Sequence, residues 1–170
     1  MIRILGALLV IGGAAAVGFS AVRGLNKRVR TLRAFLAALE LMERELSFRL
    51  TPMPELLDEL SVRMPEPVRT FFTTCRAGLE TLGERDLGQL WRVGLEDAQL
   101  GLQREELALL EELGDVLGRF DSEGQQAALT RVRTQLEHCL CGAQENRAKQ
   151  SKMYGALGLS AGALLVIMLV

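Results

Sequence analysis

The chain has 170 residues, of which 49% are hydrophobic, and its 20 Lys and Arg against 21 Asp and Glu give a formal net charge of -1. A single histidine, no GxSxG motif and no glycine-rich phosphate loop argue against an enzyme, because an active site needs converging nucleophiles, bases or metals. We therefore expect no catalytic residue, no cofactor, no metal and no nucleic-acid partner.

Two apolar segments bracket the chain. Ile4 to Val22 runs 19 residues without a charge, and Met153 to Val170 runs 18 more. At about 1.5 Å of rise per residue, a helix of either length just crosses a hydrocarbon core of roughly 30 Å. The sequence therefore predicts transmembrane helices at 1–22 and 153–170, with a helical domain at 23–152 between them.

Basic residues cluster on the domain side of both apolar segments. We call this set the basic collar; its members are Arg23, Lys27, Arg28, Arg30, Arg33, Arg147, Lys149 and Lys152. Because Lys and Arg beside a span are retained in the cytoplasm, we predict a cytoplasmic domain with both termini outside. The collar also favours anionic cytoplasmic lipid, whereas residues 34–146 carry a net charge of -10.

A cleaved signal peptide is the main alternative at the N-terminus. Arg3 would be its basic region, Ile4 to Val17 its apolar core, and Ala14 to Ala16 its cleavage site. The product would be an exported, tail-anchored helical domain in another assembly. The apolar segment is longer than a typical signal-peptide core, and the five bases after it resist export, so we favour an uncleaved anchor.

Helical periodicity continues from the first apolar segment into the domain. Apolar positions at 25–39 step by three and four, which predicts one helix running to about Phe48. It ends before Thr51 to Glu55, because the two prolines there cannot occupy a helix interior. Either proline can open a second helix, with Thr51 as its cap, that reaches Arg63.

Three shorter segments follow in the chain. Pro67 can begin a third helix, which Gly83 to Asp86 closes, and a fourth helix holds Leu87 to Leu95. Gly101 marks the next turn. A fifth helix is predicted from about Arg104 to Phe120 on a stripe of leucines.

Ser122 and Gln125 have the spacing of a capping box at the start of a sixth helix. Asp121 and Glu123 add negative charge beside the partly positive helix N-terminus. No proline follows, so this helix can continue into the second apolar segment. The sequence thus predicts an all-α fold, an antiparallel bundle of about six helices whose first and last helices extend into the membrane.

The cysteines do not suggest a metal site. His138, Cys139 and Cys141 lie within four residues of one predicted helix and cannot converge on one ion. Cys139 and Cys141 point to nearly opposite sides, so they cannot form a disulfide with each other. We expect these two and Cys75 to be free thiols at incidental core positions.

Contacts therefore carry the function, and three sets of residues are candidates. Two loops expected at the membrane-distal end are candidate partner contacts: Thr51, Pro52, Pro54 and Glu55, and Asp121, Glu123 and Gln125. The acidic surface, with Glu40, Glu43, Glu111 and Glu112, favours a basic partner. Small residues four apart permit close packing of the spans on each other, or between copies in a homo-oligomer: Gly12, Ala16, Gly158 and Gly162.

Several stretches distributed over the whole chain match one known family. They are Phe48 to Glu55, Leu113 to Gln125 and Lys152 to Gly158, together with Gly18-Phe19 and Trp91. On these residues the sequence resembles the stage III sporulation protein AB family. The cysteines are not part of that pattern.

The resemblance implies a structural component of the channel between mother cell and forespore, in the mother-cell membrane that surrounds the forespore. It also implies a domain similar to the platform protein of type II secretion and type IV pilus machines. The implied partners are the stage III sporulation AA ATPase, other stage III A-operon channel proteins and the lipid bilayer. A generic two-span membrane scaffold in another machine is the alternative.

Overall fold

The computed structural model describes residues 2–49, 51–79, 86–117 and 122–169, with their side chains except at 2–22, 122, 151 and 154–169. The described residues form an all-α structure without strands, as predicted. In chain order the elements are α1 (Ile2–Arg44), a π-helix (Glu45–Arg49), α2 (Met53–Arg63), α3 (Val68–Gly78), α4 (Leu87–Asp97), α5 (Arg104–Leu117) and α6 (Ser122–Leu169).

The first and last helices pack side by side and run in opposite directions. Thr130 Oγ1 donates to Glu43 Oε1 at 3.0 Å, and Gln126 Nε2 donates to Ser47 Oγ at 2.6 Å. The residue number thus falls along α6 as it rises along α1. The shorter helices pack in sequence order, α2 on α3, α3 on α4, α4 on α5 and α5 on α6, which closes the bundle.

Both long helices continue through the predicted apolar segments. α1 begins at Ile2 and α6 ends at Leu169, so each predicted apolar segment is continuous with a helix of the bundle. Within the part of the chain that is described, no helix combines the length and the apolar character needed to cross a membrane. The side chains of the predicted spans lie almost entirely outside that part, and so do Gly12, Ala16, Gly158 and Gly162.

Four aromatic side chains form the centre of the core. Phe35, Phe71, Phe72 and Trp91 are all 0% exposed. The rings of Phe35 and Phe71 have centroids 5.4 Å apart, and those of Phe71 and Trp91 meet edge to face at 4.8 Å. Gly114 allows α5 to approach this cluster, because a Cβ there would lie 2.5 Å from Trp91 Cγ.

The prolines set the start of α2 and α3, but the predicted cap is wrong. Pro52, not Thr51, is the N-cap residue of α2. Thr51 Oγ1 instead donates to Glu45 Oε2 at 2.9 Å, because the hydroxyl faces back toward the π-helix. The second helix ends at Arg63 as predicted, and α3 begins directly after Pro67.

The connection between α5 and α6 is described only at its two ends. α5 is described as far as Leu117, α6 begins at Ser122, and the predicted helix end at Phe120 lies outside the described residues. Gln125 Nε2 donates to the carbonyl of Leu117 at 3.1 Å, which ties the new helix to the end of the previous one. The Ser122 side chain and Asp121 lie outside the described residues, so the capping box stays a prediction.

The turn between α4 and α5 lies against the first helix. Gly101 has a φ of +69°, a conformation that glycine adopts without strain. Thr31 Oγ1 donates to the carbonyl of Leu100 at 3.0 Å, and Arg28 pairs with Glu106 at the start of α5. These contacts fix the middle of α1, where the helix enters the bundle, against the α4–α5 connection.

The cysteines occupy three different environments. Cys75 is buried, and burial raises the pKa of its thiol from 9.0 to about 12. Cys139 is half-buried, and burial followed by the nearby Glu106 carboxylate raises its pKa. Cys141 is exposed, so the expectation that it is a core position is wrong, because it lies on the outer face of α6.

Candidate functional site at the loop end

The structure brings both predicted loops to one end of the bundle. We call this the loop end and define it as residues 45–49 of the π-helix, residues 51–55, and residues 122–126 at the start of α6. The hydrogen bond between Gln126 and Ser47 joins the two chain segments. Since α1 arrives here and α6 departs from here, the loop end is opposite to the end of the bundle at which the two apolar segments are attached.

The π-helix is held by a buried carboxylate. Glu45 is 3% exposed, and it accepts from Thr51 Oγ1 while Arg49 Nη1 lies 3.6 Å from Glu45 Oε2. The backbone N–H of Thr51 also donates to the Glu45 carbonyl at 3.3 Å. Because π-helical turns are rare and occur frequently at functional sites, this turn is a candidate site by its geometry.

Phe48 is the exposed group that this turn presents. Its side chain is 84% exposed, whereas the other aromatic side chains of the described domain form the buried core. Beside it lies a cavity of about 360 Å³ lined by Ser47 on one side and by Gln126 and Thr130 on the other. The prediction of contact residues missed Phe48. The sequence carries no signal for this exposure, because the buried positions Phe35, Leu39, Met42 and Glu45 step by three and four and the same spacing would place Phe48 on the buried face.

The predicted contact residues of the two loops divide into exposed and internal ones. Pro52, Pro54, Glu55 and Glu123 are exposed and available to a partner. Thr51 and Gln125 are half-buried and hydrogen-bonded within the chain. Asp121 lies outside the described residues.

The acidic residues singled out from the sequence also differ in their surroundings. Glu43 pairs with Arg133 at 3.1 Å, and Glu112 pairs with Arg131, so both hold neighbouring helices together. Glu40 and Glu111 are exposed, and neither forms an ion pair with another described residue. Glu40 also lines the cavity beside Phe48, as does Arg44 one turn later on α1.

The outer face of α6 adjoins this cavity. Gln126 and Thr130 line the cavity, and the same face of the helix continues from there as an open surface from Glu123 to His138. The described residues contain no group of metal-ligating side chains. The arrangement suits non-covalent docking, with the exposed ring of Phe48 beside an open helix face.

Comparison with known proteins gives one consistent result. A family model described as stage III sporulation protein AB matches residues 3–170. Stage III sporulation protein AB of Bacillus subtilis (strain 168) is 28% identical over 176 aligned positions, which cover 99% of each chain. A solved structure of a stage III sporulation protein AB superposes with a TM-score of 0.66 at 25% identity, over 72% of this chain and 98% of the solved one.

Proposed function

Because this chain belongs to the stage III sporulation protein AB family, we propose that it is a structural, non-enzymatic membrane platform of the channel between mother cell and forespore. In this proposal the loop end binds a secretion-type ATPase in the mother-cell cytoplasm, the stage III sporulation AA ATPase. The other stage III A-operon proteins are contacted in or near the membrane. The observation that carries the proposal is Phe48, whose ring is held out at the loop end with 84% of its surface exposed.

An aromatic side chain in this position is suited to binding a protein. Phenyl rings supply a large contact area for few rotatable bonds, and buried aromatic anchors carry much of the energy of many interfaces. Single exposed apolar residues are common on protein surfaces. Phe48 differs from an isolated one because it lies on a π-helix that a buried Glu45 supports, beside a cavity and the exposed turn that contains Pro52 and Pro54.

The membrane attachment in this proposal is supported by the sequence and the helix bounds. Each apolar segment belongs to a helix that also forms part of the bundle, and the basic collar follows the first segment and precedes the second. Lys and Arg in these positions favour a cytoplasmic domain. The loop end then faces away from the membrane, where a cytoplasmic ATPase has access to it.

The charge of the domain suggests the character of the partner surface. Residues 34–146 carry a net charge of -10, so the domain attracts a basic surface and accelerates its docking, most strongly at low salt. The exposed carboxylates of Glu55 and Glu123 at the loop end, and of Glu40 at the cavity beside Phe48, contribute to this field. The partner is therefore expected to combine an apolar socket for Phe48 with surrounding Lys or Arg.

The test is a binding measurement between the full chain in nanodiscs and the purified stage III sporulation AA ATPase. We expect Phe48→Ala to raise the Kd by at least about tenfold, as the loss of an aromatic hot spot does. Val62→Ala is the matched control, because Val62 is 75% exposed and lies at the far end of α2 from the loop end. Equal Kd values for wild type and Phe48→Ala would move the contact elsewhere, and no binding by wild type would refute the docking.

The topology is tested separately with a thiol that the protein already has. Cys141 is exposed while Cys75 is buried, so a variant with Cys75→Ala and Cys139→Ala keeps one reporter on the outer face of α6. A membrane-impermeant maleimide should label it only after cells are lysed. Labelling of intact cells would place the domain outside the cytoplasm and exclude direct contact with the ATPase.

A further inference from the structure

The basic collar gathers at one end of the bundle because α1 and α6 pack side by side. The antiparallel pairing of Glu43 with Arg133 and of Ser47 with Gln126 fixes the register of the two helices. Followed along the helices at about 1.5 Å per residue, this register sets residues 23–33 of α1 level with residues 140–153 of α6. The two halves of the collar, far apart in sequence, therefore surround the point where both helices leave the bundle.

Two members of the basic collar contact other parts of the domain through their side chains. Arg28 is turned inward and pairs with Glu106, which is 1% exposed. The Lys27 side chain lies along the α4–α5 turn, where its Cδ would be 3.3 Å from a Cβ at Gly101. These two bases have a role in packing the domain.

Five other members have no such role. All are exposed, and none forms an ion pair with another described residue: Arg30, Arg33, Arg147, Lys149 and Lys152. Elsewhere in the domain several arginines pair with acidic side chains: Arg63, Arg76, Arg92, Arg131 and Arg133. The acid nearest to the collar on α6 is Glu145, which offsets one charge only. The exposed collar is thus a positive surface that the domain itself leaves unneutralised.

We infer that these exposed bases bind the phosphate head groups of anionic phospholipids at the surface of the membrane. The inference rests on the membrane attachment in the proposed function, since the apolar segments bring the collar to the bilayer. Clusters of four to eight Lys and Arg beside a membrane-entering helix are suited to anionic lipid, and their attraction falls off within a Debye length.

The position and charge of the surrounding chain favour lipid over other polyanions. The helices that carry the collar continue directly into the two apolar segments, and Met153, next to Lys152, is 52% exposed. A nucleic acid long enough to span the collar would also meet the remaining domain, whose net charge of -10 repels it. The same repulsion from an anionic bilayer holds the acidic part of the bundle away from the membrane.

The experiment uses the full chain in proteoliposomes of phosphatidylcholine containing about one third phosphatidylglycerol. Spin-labelled phosphatidylglycerol and spin-labelled phosphatidylcholine are added in turn, and the protein-bound fraction of each is measured. The collar variant combines Arg30→Gln, Lys149→Gln and Lys152→Gln. The control combines Arg44→Gln, Arg63→Gln and Arg131→Gln, which removes the same charge from positions outside the collar.

We expect wild type and control to prefer phosphatidylglycerol by about threefold or more at low salt and to lose this preference at about 0.5 M salt. The collar variant should show nearly equal binding of both lipids. A wild type without preference, or a collar variant with the wild-type preference, would overturn the inference. Tighter binding of wild type to a duplex DNA oligonucleotide than to anionic vesicles would overturn it as well.

A failure of the membrane attachment is detected independently. If an alkaline carbonate wash releases wild type from pure phosphatidylcholine vesicles, the chain does not span them and the attachment is wrong. Flotation with and without phosphatidylglycerol then tests the collar at the vesicle surface. Flotation that needs phosphatidylglycerol and is absent in the collar variant supports the collar, and equal flotation of both proteins contradicts it.

Discussion

Arg28 and Glu106, 78 positions apart in the chain, form an ion pair that is almost completely shielded from solvent. Arg28 Nη2 lies 2.7 Å from Glu106 Oε1, and the two side chains are 12% and 1% exposed. The Glu106 carboxylate also accepts the backbone N–H of Gln103 at 2.7 Å. One carboxylate therefore holds the start of α5 and the middle of α1, where that helix enters the bundle, together.

We expect Arg28→Ala to lower the free energy of unfolding by about 3 kcal/mol or more, because it leaves the Glu106 carboxylate buried without a partner. The measurement is urea unfolding of the full chain in a mild detergent, followed by the fluorescence of Trp91, the single tryptophan. Arg92→Ala is the control, since it removes an exposed ion pair with Asp115 and should cost less than about 1 kcal/mol. Similar losses in the two variants would contradict the assigned role of Glu106.

Two glycines in helices should respond to alanine in opposite directions. A Cβ at Gly114 would lie 2.5 Å from Trp91 Cγ, so Gly114→Ala should destabilise the domain by about 1–3 kcal/mol through overpacking. At Gly142 a Cβ meets nothing within 4 Å, and alanine there should stabilise α6 by up to about 1 kcal/mol. Thermal unfolding of both variants measures this, and a stable Gly114→Ala protein would disprove the close contact between α5 and Trp91.

Phe48 should matter for binding but not for stability. Because its ring is 84% exposed, Phe48→Ala should change the free energy of unfolding by no more than about 0.5 kcal/mol. Phe72→Ala, at a position that is 0% exposed, should cost about 3–5 kcal/mol. Urea unfolding compares the two, and a large loss for Phe48→Ala would mean that this ring packs against the domain instead of facing a partner.

The buried thiol of Cys75 should make the free energy of unfolding fall with pH under alkaline conditions. Burial raises the pKa of Cys75 to about 12 from 9.0, so the folded state keeps a proton that the unfolded state releases in this range. The contribution of this pKa shift to the free energy of unfolding is fully present below pH 9.0. It is lost as the pH rises toward 12, at about 1.4 kcal/mol per pH unit. Cys75→Ala should flatten the decline of the free energy of unfolding above pH 9.0, whereas Cys141→Ala, at an exposed position, should leave it unchanged. Equal slopes in Cys75→Ala and wild type would contradict the assignment.

Features set by neighbouring residues could be predicted from the sequence. The end of α2 at Arg63, the start of α3 after Pro67 and the start of α5 at Arg104 were predicted because prolines and a glycine turn act locally on the backbone. Leu129, Val132 and Leu136 of α6 are buried, and their helical spacing can be read from the sequence for the same reason.

Features that depend on residues distant in sequence could not be predicted. The Arg28–Glu106 pair needs α1 and α5 to meet, and periodicity does not specify which helices become neighbours. Thr51 has the chemistry of a cap, but Pro52 occupies the N-cap position, and the Thr51 hydroxyl donates to Glu45 of the π-helix instead of accepting from the first turn of α2. The same widened turn brings out Phe48, so the main candidate contact at the loop end was missed although the two loops were expected there.

The length of α1 and α6 and the contacts between them affect the stiffness of the bundle. They comprise 43 and 48 residues, which at about 1.5 Å per residue makes each longer than 60 Å, and neither contains a proline. Glu43 ties them together through Thr130 and Arg133 near the loop end. Two rods fastened side by side resist bending far more than one does. If a partner docks at Phe48 as proposed, we therefore expect both helices to tilt or shift together at the opposite end of the bundle instead of bending separately.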